Sequence, residues 1–114
     1  MTEQAKQQNA PSPEEVAELK KTHGKVFKLS VNDRQYCFRT LKRQEHLKIV
    51  SSMEAVEPAN RQIMFDEAIV RNALVWPKVD PAWYSTCDAG DVATLAGFIL
   101  EKSGFTQDVK VEEI

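Results

Sequence analysis

The side chains best suited to hold a metal ion in this chain are two histidines and two cysteines. His23, His46, Cys37 and Cys87 include no pair at the short spacing that zinc sites use. His23 precedes Gly24 at the expected end of a helix, where the helix dipole favours a cation, and His46 lies on an apparently polar helical face. We therefore predict capping or solvated histidines, with no metal and no cofactor.

Asp88 and Asp91 are the carboxylates that come closest to an acid–base pair. They also stand at the expected start of the last helix, where Asp-Ala-Gly-Asp is similar to a capping box, and capping explains both residues. Asp66 and Glu67 are adjacent, and adjacent residues on a helix do not face each other. The chain has 4 glycines and no GxSxG, GxGxxG or P-loop signature. These observations predict no catalytic residues, and hence a protein that is not an enzyme.

A basic cluster, Arg39, Lys42, Arg43 and Lys48, could form one positive face where a strand passes into a helix. Such a face is usually solvated, but it could also bind an acidic protein or a nucleic acid backbone. The net charge of −2 and the pI near 5.7 disfavour nucleic acid as a partner.

Both tryptophans lie in a connector that Pro77 and Pro81 interrupt. In one interpretation Trp76 folds back over a hairpin and Trp83 fills the gap to the last helix. In the other, some of these aromatic side chains form an exposed anchor for a partner, because Trp and Tyr are frequent in interface hot spots. We predict that Trp76 belongs to the core, and we leave both interpretations open for Trp83 and Tyr84.

Alternating apolar residues predict a β-hairpin that turns at Asn32-Asp33. A two-residue loop would pair Leu29 with Tyr36 and Phe27 with Phe38, which places the large apolar side chains on one face. An isolated hairpin is not stable, so helices must cover that face.

Residues typical of helix starts and ends occur on both sides of the hairpin. Ser12, Glu15 and Gly24 predict a short, loosely attached helix with a capping box before it. After it, Thr40 is the expected N-cap of a helix that ends before Pro58, with Leu47, Val50 and Met53 as its apolar stripe.

A third helix, 61–75, follows Asn60 as its expected cap and is apolar around most of its circumference, which is typical of a central helix or of one half-committed to a partner. The last helix carries Val92, Leu95, Ala96 and Ile99 on one face and ends at Gly104.

These elements predict an α+β fold in which one β-hairpin packs against a bundle of about four helices. Residues 1–10 are expected to be a disordered lead-in, 11–105 a single domain and 106–114 an acidic tail. No apolar run reaches the roughly 18 residues of a membrane span, and no signal peptide is recognisable. The sequence therefore predicts a soluble cytoplasmic protein with reduced cysteines.

Several of these signals, taken in order along residues 20–105, resemble the tail assembly chaperones of contractile-tailed bacteriophages. The shared pattern is a hairpin ending in an aromatic-Arg pair, a basic and acidic helix start, a helix running into Trp-Pro, an Ala-Gly helix and a final Ser-Gly-Phe. In this chain the corresponding residues are Phe38-Arg39, Arg43, Glu45, Trp76-Pro77, Ala89-Gly90 and Ser103-Gly104-Phe105. The same outline is similar to that of the chaperones that assemble phage baseplate hubs.

This resemblance implies a non-enzymatic protein that binds and solubilises the tape-measure protein, or another tail or baseplate protein, in the host cytoplasm. It leaves self-association open, and membrane partners are not expected. The alternatives are a structural baseplate or tail subunit of the virion and a small nucleic-acid-binding regulator. The candidate partner-binding residues are Trp83, Tyr84, Trp76, Arg39 and Arg43.

Overall fold

The computed structural model describes residues 10–31, 33–105 and 110–114. Within these ranges it contains five α-helices and a three-stranded antiparallel sheet, so the predicted α+β class is confirmed. The predictions for the lead-in before residue 10, for Asn32 in the turn and for residues 106–109 of the tail lie outside the described residues.

The elements in chain order are α1 (Pro13–His23), β1 (Phe27–Val31), β2 (Arg34–Phe38), α2 (Arg43–Ser52), α3 (Arg61–Ala73), β3 (Leu74–Trp76), α4 (Trp83–Thr86) and α5 (Ala89–Leu100). Two 3-10 turns, Met53–Ala55 and Pro58–Asn60, connect α2 to α3, and a π-turn, Glu101–Phe105, follows α5. None of the helices in the described ranges is long and apolar enough to cross a membrane.

The predicted capping box begins α1. The Glu15 backbone N–H donates to the Ser12 hydroxyl at 3.1 Å, and the Ser12 N–H donates to the Glu15 carboxylate at 2.8 Å. Gly24 closes the helix with a φ of 79°, a conformation that glycine adopts without steric cost. No residue of α1 is buried, and its apolar residues Val16 and Leu19 are half-buried.

The register predicted for the hairpin is confirmed: Leu29 lies opposite Tyr36, and Phe27 lies opposite Phe38. The Phe27 and Phe38 rings stack with centroids 5.6 Å apart. Tyr36 and Phe38 are each 2% exposed, because this face of the sheet lies under the helices.

A third strand, which the expected fold does not include, extends the hairpin. The helix expected over 61–75 ends at Ala73, and β3 pairs with β2 through Phe38 opposite Leu74 and Cys37 opposite Trp76. Strand β2 is buried, so the backbone groups on its second edge need hydrogen-bond partners inside the protein. β3 supplies these partners. Its three residues, Leu74–Trp76, are too few to show the alternation by which a strand is recognised in a sequence.

The core lies between the sheet, α3 and α5, with contributions from α2. Its buried residues are Tyr36, Phe38, Leu41, Ile49, Ile69, Val70, Ala73, Leu95, Ala96 and Ile99. The stripe predicted for the last helix is confirmed in α5, where Leu95 and Ile99 are 0% exposed and Val92 is half-buried. Gly104, with a φ of 103°, ends the turn that follows.

Two predictions about α2 are wrong. The helix starts at Arg43 rather than after Thr40, because the Leu41 N–H donates to the Ser103 hydroxyl at 2.8 Å while Leu41 itself is buried. Its predicted stripe also points outward: Leu47 is 48% and Val50 45% exposed, and Ile49 is the buried residue instead. The reason is that α3 packs against only one side of α2, and the stripe lies beyond that contact.

Candidate functional site

The misassigned stripe of α2 is an exposed apolar surface. Leu47 and Val50 of α2 and Met53, the first residue of the 3-10 turn that follows, are spaced at intervals of three residues, which keeps them on one side. Met53 is half-buried and the other two are exposed. Scattered exposed apolar residues are normal, whereas a contiguous row of them is typical of an interaction site.

Aromatic residues from two other elements border this row. The His46 ring contacts Phe65 of α3 edge-on, with centroids 6.0 Å apart, and lies 4.6 Å from the ring of Phe105. Phe105 is 54% exposed. His46 was expected on a polar face, and it lies instead between two phenylalanines, because α3 and the turn after α5 meet there. We call Leu47, Val50, Met53, Phe65 and Phe105 together the α2 surface.

The α2 surface contains two depressions. One, of about 320 Å³, lies between Val50, Met53 and Phe65, with Arg61 and Gln62 at its wall. The other, of about 340 Å³, is lined by residues of α2 and of the turn after α5, namely Leu41, Lys42, Arg43, His46, Leu47, Ser103 and Phe105. Both are open to solvent, so they have room for the side chains of a partner.

Positive charge surrounds the α2 surface. Lys42 and Arg43 line one depression and Arg61 lines the other, and within the described part of the chain no carboxylate lines either. Arg61 donates only to backbone oxygens, those of Val56 and Glu54. An apolar row bordered by basic side chains is complementary to an apolar partner that carries acidic residues.

Arg39, a predicted binding residue, lies away from the α2 surface. Its guanidinium forms a bidentate pair with Glu45, at 3.0 and 2.8 Å, and also donates to the carbonyls of Thr40 and Asn72. The pair lowers the pKa of the Glu45 carboxyl to about 2. Arg39 therefore joins the start of α2 to the end of α3, whereas Arg43 stays exposed beside Leu47.

The three aromatic candidates of the connector differ in burial. Trp76 is 6% exposed, as the core interpretation predicts, and lies opposite Cys37 on the sheet face away from Tyr36. Trp83 is half-buried, with its ring 6.1 Å from that of Tyr36 and 4.9 Å from that of Tyr84. Tyr84 is half-buried under the Arg71 guanidinium, 4.1 Å from the ring centroid. The three rings do not converge on one surface.

Asp88 and Asp91 do not use their side chains as helix caps, so the capping prediction is wrong for both carboxylates. Arg34 donates to Asp88 at 3.1 Å and to Asp91 at 2.9 Å, and the Tyr36 hydroxyl donates to Asp91 at 2.7 Å. Asp91 is 3% exposed. Burial, with the Asp91 hydrogen bond as a second cause, raises the pKa of Tyr36 to about 12.

Sequence reasoning missed this cluster, although a signal for it was present. Asp91 precedes Leu95 by four residues and Ile99 by eight, which places it on the core face of α5. A tyrosine on the apolar face of the hairpin also needs a partner for its hydroxyl. The cluster attaches the hairpin to α5, and the two oxygens of Asp91 are both occupied by Arg34 and Tyr36.

The two cysteines, Cys37 and Cys87, are free thiols, and burial raises the pKa of each. Across the described ranges, no group of three or more His, Cys, Asp or Glu side chains could hold a metal ion. No protein-family model, no curated protein and no solved structure matches this chain.

Proposed function

We propose that this protein is a chaperone that binds an amphipathic helical segment of another protein on the α2 surface. The observation that carries the proposal is the row of Leu47, Val50 and Met53, in which Leu47 and Val50 are exposed on a helix whose opposite side is packed. Helix-binding proteins commonly present an apolar groove into which a partner lays residues spaced by three and four.

The charge around the row supports a particular kind of client. Lys42, Arg43 and Arg61 lie at its borders, and Lys48 is exposed on the same helix. A client helix with acidic residues flanking its apolar face would meet opposite charge on either side. Such flanking charges steer association and fix orientation more than they add affinity.

The resemblance to phage tail assembly chaperones supplies the client in this proposal. It is the tape-measure protein, a long helical chain prone to aggregate, which the chaperone would keep soluble in the host cytoplasm until tail-tube subunits polymerise around it. Occupying exposed apolar faces of such a chain needs no catalytic group. A small domain with one apolar, positively bordered surface suits that task.

Co-expression with a tape-measure protein tests the proposal. The wild-type chain should increase the soluble fraction of the client and co-purify with it. Leu47→Gln together with Val50→Gln should abolish both effects, because glutamine keeps the helix propensity but removes the apolar contact. Phe98→Gln is the matched control: Phe98 is 41% exposed on α5 and lines neither depression. A client that remains insoluble with the wild-type chain would contradict the proposal.

A structural subunit of the baseplate or tail is the second candidate, because a permanent partner in the particle could cover the same apolar row. Mass spectrometry of purified particles separates the two. A stoichiometric amount of this chain in mature particles favours the subunit, and its absence favours the chaperone. The nucleic-acid candidate is weaker because Arg39, one of its four cations, is committed to Glu45.

A further inference from the structure

We propose that a cleft beside the proline connector binds the acidic C-terminal segment, residues 110–114, of a second copy of this chain. The cleft has a volume of about 510 Å³ and lies between α3, β3 and the connector. It is separate from the α2 surface and shares no lining residue with the two depressions there. The inference therefore does not depend on the proposed function.

Basic side chains contribute much of the polar wall of the cleft. His23, Arg39, Arg71 and Lys78 all contribute to its wall, and among the described residues no Asp or Glu does. Arg71 is held in place by Glu67, at 2.7 Å, and by stacking over Tyr84. Lys78 is exposed and has no ion pair within the described part of the chain. Lys78 is thus the free charge of the cleft.

Apolar side chains and prolines make up the rest of the wall. Leu74, Val75 and Val79 are half-buried there, and Pro77 and Pro81 border it. The two prolines fix the φ angles of the connector, so little backbone entropy is lost when a ligand binds against it. A ligand that carries both aliphatic and acidic side chains would match this wall.

The C-terminal segment has that composition. Val111 is 91% exposed and Ile114 is fully exposed, and Glu112 and Glu113 lie between them. In an extended segment neighbouring side chains alternate, so each side of it presents one aliphatic and one acidic residue. One side could place its valine on the apolar wall and its carboxylate near Lys78.

A second copy is the source because residues 110–114 of the same chain are all exposed and none of them lines the cleft. Exchange of segments between two copies would be reciprocal, and two identical contacts close a two-fold dimer. Two five-residue segments bury less than the ~800 Å² per partner of a standard interface, so the dimer should be weak and concentration-dependent.

Light scattering after size-exclusion chromatography of the full chain, over a range of concentrations, tests the proposal. The wild type should shift from monomer to dimer with concentration, and added salt should weaken the dimer. Lys78→Glu should raise the dimer Kd by about tenfold or more, and so should Glu112→Lys with Glu113→Lys. Combining Lys78→Glu with Glu112→Lys and Glu113→Lys should restore the dimer, because the charges of the cleft and of the segment are then both reversed. Lys28→Glu, at an exposed position on β1, is the control.

Three results would overturn the proposal: a monomer at every concentration, a dimer that Lys78→Glu leaves unchanged, or a monomer whose own segment is protected from hydrogen exchange. All the substituted side chains are exposed, so thermal unfolding should verify that each variant folds. Client solubilisation by these variants should equal that of the wild type, so failure here is distinct from failure of the chaperone proposal.

Discussion

Asp91 and Asp88 contact the same guanidinium and differ in their surroundings. The Asp91 side chain is 5% exposed and also accepts the Tyr36 hydroxyl, whereas the Asp88 side chain is 68% exposed. Removing a buried partner leaves a polar group unsatisfied in the core, and removing an exposed one lets water replace it.

The substitutions Asp91→Ala and Asp88→Ala should therefore lower the free energy of unfolding by different amounts. Asp91→Ala should lower the free energy of unfolding by roughly 2–4 kcal/mol, because the Tyr36 hydroxyl loses its acceptor inside the core. Asp88→Ala should have little effect. Urea unfolding of the two variants measures the difference, and equal losses would show that Asp91 is not held as the structure describes.

Acid should weaken the contact between Arg39 and Glu45. The pKa of Glu45, with a usual value of 4.5, is about 2 in the folded protein, so the unfolded chain takes up the proton first as the pH falls. The stabilisation is complete above pH 4.5 and is lost as the pH falls to about 2. Because both side chains are partly exposed and water screens the pair, the contribution is at most about 1 kcal/mol.

Comparing Glu45→Gln with the wild type between pH 2 and pH 6 tests this directly. The variant should be less stable near pH 6, and the difference should shrink as the solution becomes more acidic. Glu54→Gln, at an exposed position in the turn after α2, is the control. A constant difference across the range would mean that the ion pair contributes nothing.

At the scale of the elements, α5 has one buried face and one exposed face. Ile99 is 0% exposed in the core, and its neighbour Phe98 is 41% exposed. Ile99→Ala should cost about 2–5 kcal/mol through lost burial and a residual cavity, whereas Phe98→Ala should cost much less. Thermal unfolding of both variants checks this, and an unchanged midpoint for Ile99→Ala would contradict the placement of α5.

The connector can be tested through its two tryptophans. Trp76→Ala should destabilise the protein by roughly 3–5 kcal/mol, as for other buried aromatic residues. Trp83 is half-buried against Tyr36, so Trp83→Ala should cost less, although more than a fully exposed anchor would. Denaturant midpoints give the order, and a larger loss for Trp83 would show that the connector, rather than β3, holds the main aromatic contact.

For the whole molecule, the surfaces proposed to bind partners are separate from the residues that stabilise the fold. Leu47→Gln with Val50→Gln should leave the free energy of unfolding nearly unchanged, because both side chains are already about half exposed. The same variant should lose client binding. Calorimetric unfolding beside the co-expression assay distinguishes the two effects, and an unfolded variant would show that the row belongs to the core.

Charge is also segregated across the molecule, although its sum is only −2. Cations border the α2 surface and line the connector cleft, while Glu112 and Glu113 stand in the exposed tail. The net charge disfavours nucleic acid as a partner, but it does not show where on the surface the positive and negative side chains are concentrated. Their positions depend on how the elements pack.

Local patterns in the sequence determined much of the fold. The register of β1 and β2 follows from alternation and a short turn, and the capping of α1 joins Ser12 and Glu15, which are only three positions apart. The buried stripe of α5 follows from its helical period. In each case residues close together in the sequence determine the local structure, so it can be predicted without knowing the contacts between distant residues.

Only the tertiary structure decided which apolar faces are covered and which polar groups are buried. The row on α2 has the same period as a core stripe, yet α3 packs against the side that carries Ile49. β3 exists because a buried neighbouring strand needs hydrogen-bond partners, and Asp91 is buried because Arg34 and Tyr36 reach it from the hairpin. Contacts between different elements set these outcomes, and for β3 and Asp91 the contacting residues are more than 30 positions apart. The periodicity of a single segment carries no information about such contacts.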